Sequence, residues 1–195
     1  GGVAIGNTTG TYYQGNYSTA VGQQAGQTSQ GINATAIGVH SGNISQGDYT
    51  TAVGGASGNN IQGDFAVAIG QQAGYTGQGE GAVACGYLAG DLSQGIAAVA
   101  IGRFAGRNNQ GLDGVAIGHN AAYTGQGGNS VAIGLSAGQT DQSYNAVAIG
   151  PFAGVSGQLG YAVAVGSLAG NDTQGLGATA IGREAGQIRQ GQYGT

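Results

Sequence analysis

The chain lacks most of the residue types that give proteins charge and bulk. Among 195 residues there is no Lys, Met or Trp, and there are one Pro, one Cys and only four Arg. Four cationic side chains cannot neutralise a run of phosphates, so the composition argues against nucleic-acid binding and against docking to an anionic membrane. A single Cys allows no internal disulfide.

Long hydrophobic runs are missing as well. The longest apolar stretches, such as Ile96 to Ile101, fall far short of the ~20 residues that cross a bilayer, so we predict no membrane insertion of this segment. Leu, Ile, Val and Phe make up roughly 18% of the residues, which is little for a conventional core. The formal net charge of −4 is nevertheless too small for a typical disordered chain.

The 45 Gly residues belong to a strict internal repeat. Written from Asn16, the chain divides into blocks of sixteen residues, with no insertion or deletion between Ala4 and Gln190. Because the chain starts without Met and ends in the middle of a block, we expect it to be a segment of a longer fibre. The twelve copies occupy residues 1–15, 16–31, 32–47, 48–63, 64–79, 80–95, 96–111, 112–127, 128–143, 144–159, 160–175 and 176–191.

The positions of a block, here called slots 1 to 16 from Asn16 onward, carry a constant pattern. Slot 5 is always Ala, slot 7 always Gly and slot 15 always Gln. Slot 4 is Val or Thr and slot 6 is Ile or Val except at Cys85, so β-branched residues alternate as they do in strands. Gly at slot 11, except Ala122, and at slot 16, except Ser143 and Leu159, predicts corners.

These features predict an all-β protein, a parallel β-solenoid of twelve coils. Sixteen residues are too few for a βαβ unit, and the block shows no helical period. Equal slots of successive coils would stack about 4.8 Å apart, which gives a rod roughly 58 Å long. The predicted structural ladders include Ala20, Ala36, Ala68, Ala100, Ala132, Gly22, Gly38, Gly70, Gly102, Gln30, Gln46, Gln78, Gln110, Gln174, Ile37, Ile69, Ile101 and Ile133.

Both faces of the slot 4–6 strand are expected to be buried. If slots 4 and 6 line the coil, then the small residues of slots 3, 5 and 7 point outward, where a second backbone approaches closely. In the alternative, the opposite wall of the coil packs on the small residues and slots 4 and 6 face a neighbour. In either arrangement we expect the neighbour to be another copy of the chain. Stacked Gln amides at slot 15 are interpreted as a brace that hydrogen-bonds along the rod.

No constellation of residues predicts catalysis, a cofactor or a metal site, so we expect a protein that is not an enzyme. His40 and His119 lie five coils apart and share no acid. Cys85 replaces an Ile or Val in the strand and is expected to be a small buried hydrophobe. Asp48, Asp64 and Glu80 share slot 1 in adjacent coils, but the Gly- and Asp-rich ladder of calcium-binding rolls is missing.

The segments GVAIG, AVAIG and SVAIG, followed by small residues, give the chain a resemblance to the Hep/Hag-type head repeats of YadA-like trimeric autotransporter adhesins. The resemblance covers nearly the whole chain and implies a left-handed β-roll packed as a homotrimer. It also implies that slots 4 and 6 line each coil and that slots 3, 5 and 7 lie near the trimer contacts. The sixteen-residue block and its AGxTxQG half depart from that family and are similar to repeats of phage and large-virus fibre proteins.

The sequence therefore predicts a structural fibre or filament shaft, extracellular on a cell surface or a virion. The shaft would act as a rigid spacer or adhesin, with itself as partner, possibly in a longer filament, and with a host surface, a matrix protein or a glycan as further partners. The variable slots, which carry Tyr, Phe, Leu, Arg, His and Asn, are expected to form the recognition surface. An ice- or carbohydrate-binding module is the less favoured alternative, because the sequence shows neither a regular Thr array nor a clustered pocket.

Overall fold

A computed structural model describes residues 1–195 and contains strands and turns but no helix. The chain forms two compact units, Gly1–Ala97 and Ala98–Thr195. Each unit holds six copies of the block to within two residues. Every coil has a three-residue strand at slots 4–6, and most coils have a second one at slots 13–15.

The strands alternate between the two walls of the coil. In the first unit, slots 4–6 form β1 (Val3–Ile5), β3 (Thr19–Val21), β5 (Thr35–Ile37), β7 (Thr51–Val53), β9 (Val67–Ile69) and β11 (Val83–Cys85). Slots 13–15 form β2 (Tyr12–Gln14), β4 (Thr28–Gln30), β6 (Ile44–Gln46), β8 (Asn60–Gln62), β10 (Thr76–Gln78) and β12 (Leu92–Gln94).

The second unit repeats this arrangement with one irregular wall. Its slots 4–6 form β13 (Val99–Ile101), β15 (Val115–Ile117), β17 (Val131–Ile133), β18 (Val147–Ile149), β19 (Val163–Val165) and β21 (Thr179–Ile181). Its slots 13–15 form β14 (Asn108–Gln110), β16 (Thr124–Gln126), β20 (Asp172–Gln174) and β22 (Ile188–Gln190).

Successive coils pair in parallel, slot on slot. Ala20 lies opposite Ala36 on one wall, and Gln30 lies opposite Gln46 on the other. The same sixteen-residue register joins neighbouring strands throughout each unit. The predicted all-β parallel solenoid is thereby confirmed.

Hydrogen bonds between coils continue around the corners. The amide of Gly22 at slot 7 donates to Ile5 O of the preceding coil at 2.8 Å. The amides of Gly26 at slot 11 and Gly31 at slot 16 donate to the following coil at 2.9 and 2.8 Å. Because bonds are made around the whole perimeter, an inserted residue would break the pairing at every later slot, which explains the absence of insertions.

The interior of each coil is narrow and lined by small side chains. Away from the two end coils, Ala at slot 5 and at slot 10 is fully buried, as Ala20, Ala25 and Ala36 illustrate. Slot 3 is buried too, and the one large interior side chain is the slot 15 Gln. A Cβ added to Gly26, at slot 11, would lie 3.2 Å from the Cβ of Ala20 across the coil. The space between the two walls therefore accommodates Ala but not Ile.

The inside-outside assignment implied by the family resemblance is wrong. Slots 3 and 5 point into the coil, and slots 4 and 6 point outward. The small residues face the opposite wall of their own coil, which is the alternative that the strand pattern left open. Cys85 at slot 6 is half-exposed rather than buried, because it shares that outward face.

The second wall is irregular where the slot 16 Gly is replaced. In coils 128–143 and 144–159 the strand at slots 13–15 shrinks to single bridges at Thr140 and Ser156. These are the two coils that carry Ser143 and Leu159 at slot 16. A Cβ added to Gly127, the slot 16 residue of the preceding coil, would lie 2.6 Å from the carbonyl carbon of Ser143. The strand is thus shortened where a side chain occupies slot 16, although the amides of Ser143 and Leu159 still donate to the following coil at 2.8 and 2.9 Å.

Candidate self-association surface

Slots 4 and 6 form an exposed apolar face on each unit. Every residue of this face is Val, Ile or Thr, apart from Cys85, and none is charged. Ile37, Ile69 and Ile101 are 40–42% exposed, and Ile133 is half-buried in the same row. Parallel sheets are normally covered on both faces, and contiguous exposed apolar surface marks an interaction site.

Gly at slot 7 determines where each strand of this face ends. Gly22, Gly38, Gly70 and Gly102 have φ values of +124° to +129°, which side chains rarely adopt. A Cβ at these residues would lie 2.5–2.8 Å from the carbonyl oxygen of the slot 7 Gly in the next coil. The chain turns sharply here, so the outward face is limited to slots 4 and 6.

Buried Gln side chains hold the same strands from inside. The Nε2 of Gln30, Gln46, Gln78, Gln110 and Gln174 donates to the slot 4 carbonyl of the same coil at 2.7–3.0 Å. These side chains are at most 3% exposed. The Gln therefore connects the second wall to the strand that carries the apolar face.

Hydrogen bonds from Gln to Gln along the stack differ between the units. In the second unit, Gln126, Gln142, Gln158 and Gln174 each donate to the Gln of the next coil at 3.1–3.2 Å. Oε1 of Gln126, at the start of this run, is itself buried without a hydrogen-bond donor, and so is Oε1 of Gln30, Gln46, Gln62 and Gln78 in the first unit.

The buried amide oxygens of slot 15 face the slot 11 glycine in both units. A Cβ added to Gly26 would lie 2.7 Å from Oε1 of Gln30, so only a Cα hydrogen fits against that oxygen. This contact gives a reason for Gly at slot 11 beyond its φ of about +50°.

We predict that Gln78→Leu destabilises the protein by about 2 kcal/mol, because it removes two hydrogen bonds that the buried amide donates to carbonyl oxygens. Nε2 of Gln78 donates to Val67 O at 2.8 Å and to Ala82 O at 3.2 Å. Gln71→Leu, at an exposed slot 8 of the same coil, is the control and should change little. Urea unfolding followed by circular dichroism measures both variants. Equal stability of Gln78→Leu and Gln71→Leu would contradict the interpretation that the buried Gln braces the coil.

The other residues singled out in the sequence have structural or solvent-exposed positions. His40 and His119 are both exposed, one in each unit. Asp48 Oδ1 accepts the Ile32 amide at 2.7 Å, and Asp64 Oδ1 accepts the Asp48 amide at 2.9 Å. The column of slot 1 acids thus supplies acceptors for backbone amides. Within residues 1–195, no three His, Cys, Asp or Glu side chains are arranged to hold a metal ion.

Comparison with protein-family models and with curated proteins finds no match for this chain. None of its segments is a helix of the length and hydrophobicity that crossing a membrane requires. The outward apolar face of slots 4 and 6 is therefore the feature of the chain that bears most directly on its function.

Proposed function

We propose that the protein is a structural, non-enzymatic shaft of an extracellular fibre, in which three copies pack through the slot 4 and slot 6 faces. The single observation that carries this proposal is the uncharged, β-branched outward face present in every coil. A monomer would leave that face in water, whereas a trimer would remove it from water around a common axis. Three is the number implied by the resemblance to YadA-like repeats.

The pattern of the face supports packing against an identical partner. Its rows of Val, Ile and Thr recur at every coil, so a second copy in parallel would meet the same spacing of about 4.8 Å along its whole length. Regular rows of β-branched side chains interdigitate well, as in sheets that pack face to face. Self-association in register therefore needs no additional recognition element.

The test is a double substitution on the face, Ile37→Arg with Ile69→Arg. Sedimentation equilibrium should give three times 18.8 kDa for the wild type and 18.8 kDa for the variant, because cations would be buried opposite one another. A wild-type mass of one chain at micromolar concentration would refute the assembly.

The matched control, Ile44→Arg with Ile61→Arg, introduces the same charges outside the slot 4 and slot 6 face. Ile44 and Ile61 are 42% and 57% exposed and lie at slots 13 and 14 on the other wall. We expect this variant to keep the wild-type mass. If both double variants dissociate equally, then the slot 4 and slot 6 face is not the contact.

The fibre is proposed to act as a rigid spacer or adhesin on a cell surface or on a virion. Backbone pairing between the coils of each unit would make that part of a shaft resist bending. Antibody labelling of intact source cells and of virus particles separates the two locations. Labelling confined to the cell interior would refute both.

A further inference from the structure

The slot 4 row of the outward face changes along the chain, whereas slot 6 keeps the same character. Slot 6 is Ile, Val or Cys in every coil. Slot 4 is Val in eight coils and Thr in the other four, which are Thr19, Thr35, Thr51 and Thr179. Thr19, Thr35 and Thr51 lie in consecutive coils of the first unit and are here called the Thr row. One stretch of a mostly apolar face therefore carries adjacent hydroxyl groups.

The hydroxyl groups of the Thr row are not used by the fold. All three residues are half-buried, and none of their hydroxyls makes a hydrogen bond within the chain. Interior hydroxyls at slot 3 differ, since Ser18 donates to Gly15 O at 2.6 Å and Thr50 donates to Gly47 O at 2.9 Å. Whatever covers the outward face must therefore supply partners for the Thr row, because a buried hydroxyl without a hydrogen bond is costly.

The apolar part of the face cannot determine how two copies align. Its side chains recur at every coil, so a copy displaced by one coil, about 4.8 Å, would keep almost the same contacts. Such a displacement would also prevent closure, because head-to-tail contacts that do not return to their starting point produce open filaments. A closed trimer therefore needs a feature on the face that differs from coil to coil.

We propose that the Thr row fixes the alignment of self-association by hydrogen-bonding to the Thr row of a neighbouring copy. The partner is a parallel copy whose first unit lies against this first unit, coil beside coil, with the slot 4 rows in contact. Each hydroxyl then meets an identical hydroxyl, which can both donate and accept. Thr pairs on facing strands are stabilising in sheets for the same reason. The inference rests on the proposed self-association and names the residues that select its register.

Other alignments would bury hydroxyl groups against hydrocarbon. With a displacement of one coil, Thr51 of one copy faces Val67 of its neighbour, and Thr19 of that neighbour faces Val3. With a displacement of three coils, no member of the Thr row faces another Thr. In an antiparallel pair, the Thr row faces a run of Val in the second unit. Because each unpaired buried hydroxyl adds to the cost, the in-register parallel alignment is favoured over all of these.

The test is disulfide cross-linking at slot 4, with Val67→Cys in a Cys85→Val background that leaves no other thiol. Cys85 shows that the outward face accommodates Cys. Two such thiols can join only where the same coil of two copies is adjacent, because a disulfide requires Cα atoms less than about 7 Å apart. Mild oxidation of the assembled protein should therefore give cross-linked dimers on a non-reducing gel.

Replacing the Thr row by Val should release the alignment. In that triple variant we expect the cross-linked yield to fall about threefold or more, because displaced copies become acceptable. Sedimentation velocity should show a broad distribution beyond the mass of three chains. Replacing the same three residues by Ser keeps the hydroxyls and should preserve both the cross-linked yield and the wild-type mass. The compared triple variants are Thr19→Val, Thr35→Val and Thr51→Val against Thr19→Ser, Thr35→Ser and Thr51→Ser.

A matched control changes three Thr on the other wall, where slot 13 carries half-buried Thr28, Thr76 and Thr124. Thr28→Val, Thr76→Val and Thr124→Val together should cross-link like the wild type. Circular dichroism should show every variant folded, since Val replaces Thr with little change of shape in a strand. A Val triple variant of the Thr row that cross-links as fully as the Ser variant would overturn the inference.

Failure of this inference is distinguishable from failure of the proposed assembly. A wild-type mass of one chain would refute self-association and, with it, the alignment. A wild-type mass of three chains without cross-linking through Val67→Cys would refute only the contact between slot 4 rows. A trimer in which the Val and Ser variants of the Thr row behave alike would refute only the role of the hydroxyls.

Discussion

Arg in place of Ala68 is expected to unfold the first unit, whereas Arg in place of the next residue, Ile69, is expected to leave it folded. The two residues are neighbours in β9 but point to opposite sides of the wall: Ala68 is 0% exposed and Ile69 is 42% exposed. Inside the coil, a Cβ on Gly74 would already lie 3.3 Å from the Cβ of Ala68. A guanidinium has neither space nor a counter-charge there, so we expect a loss of about 3–5 kcal/mol or no folded protein.

The measurement is thermal and urea unfolding of both variants by far-ultraviolet circular dichroism, at a concentration where each is monomeric. Ile69→Arg should keep the strand signal and shift the midpoint little, because its side chain remains in water. If Ile69→Arg unfolds and Ala68→Arg does not, slots 4 and 6 line the interior and the observed orientation is wrong. The pair therefore tests the orientation separately from self-association.

The period and the parallel stacking could be predicted because every coil repeats the same chemistry without a gap. The orientation of the strand could not, since the usual expectation places Ile inside and small residues outside. That expectation assumes a core wide enough for large side chains. Here the walls are so close that Gly26 faces Ala20 directly, and only small residues and an extended Gln fit between them.

One other feature had no signal in residue type. Slots 2, 9 and 14 adopt φ values near +55° with almost any residue, as Tyr17, Gln24 and Ser29 illustrate. Hydrogen bonds between coils impose that conformation, so composition does not reveal it.

Gly54→Ala is expected to cost about 3 kcal/mol or more, although it adds one methyl group. Gly54 occupies slot 7 in the middle of the first unit with φ +128°, a conformation that strains any side chain. Its Cβ would lie 2.7 Å from Gly70 O, which is backbone held by the next coil and cannot move aside. Strain and clash therefore act together, and urea unfolding of the variant should show the full loss.

The neighbouring residue supplies the control for this prediction. Gly55 has no positive φ, and a Cβ added there would meet nothing within 4 Å. Gly55→Ala should leave the unfolding free energy unchanged to within about 0.5 kcal/mol. If Gly54→Ala lowers the unfolding free energy far more than Gly55→Ala, then the loss comes from close coil stacking at slot 7 and not from a general effect of removing glycine. Equal losses at both positions would contradict the idea that slot 7 is restricted to Gly by the carbonyl of the coil beyond it.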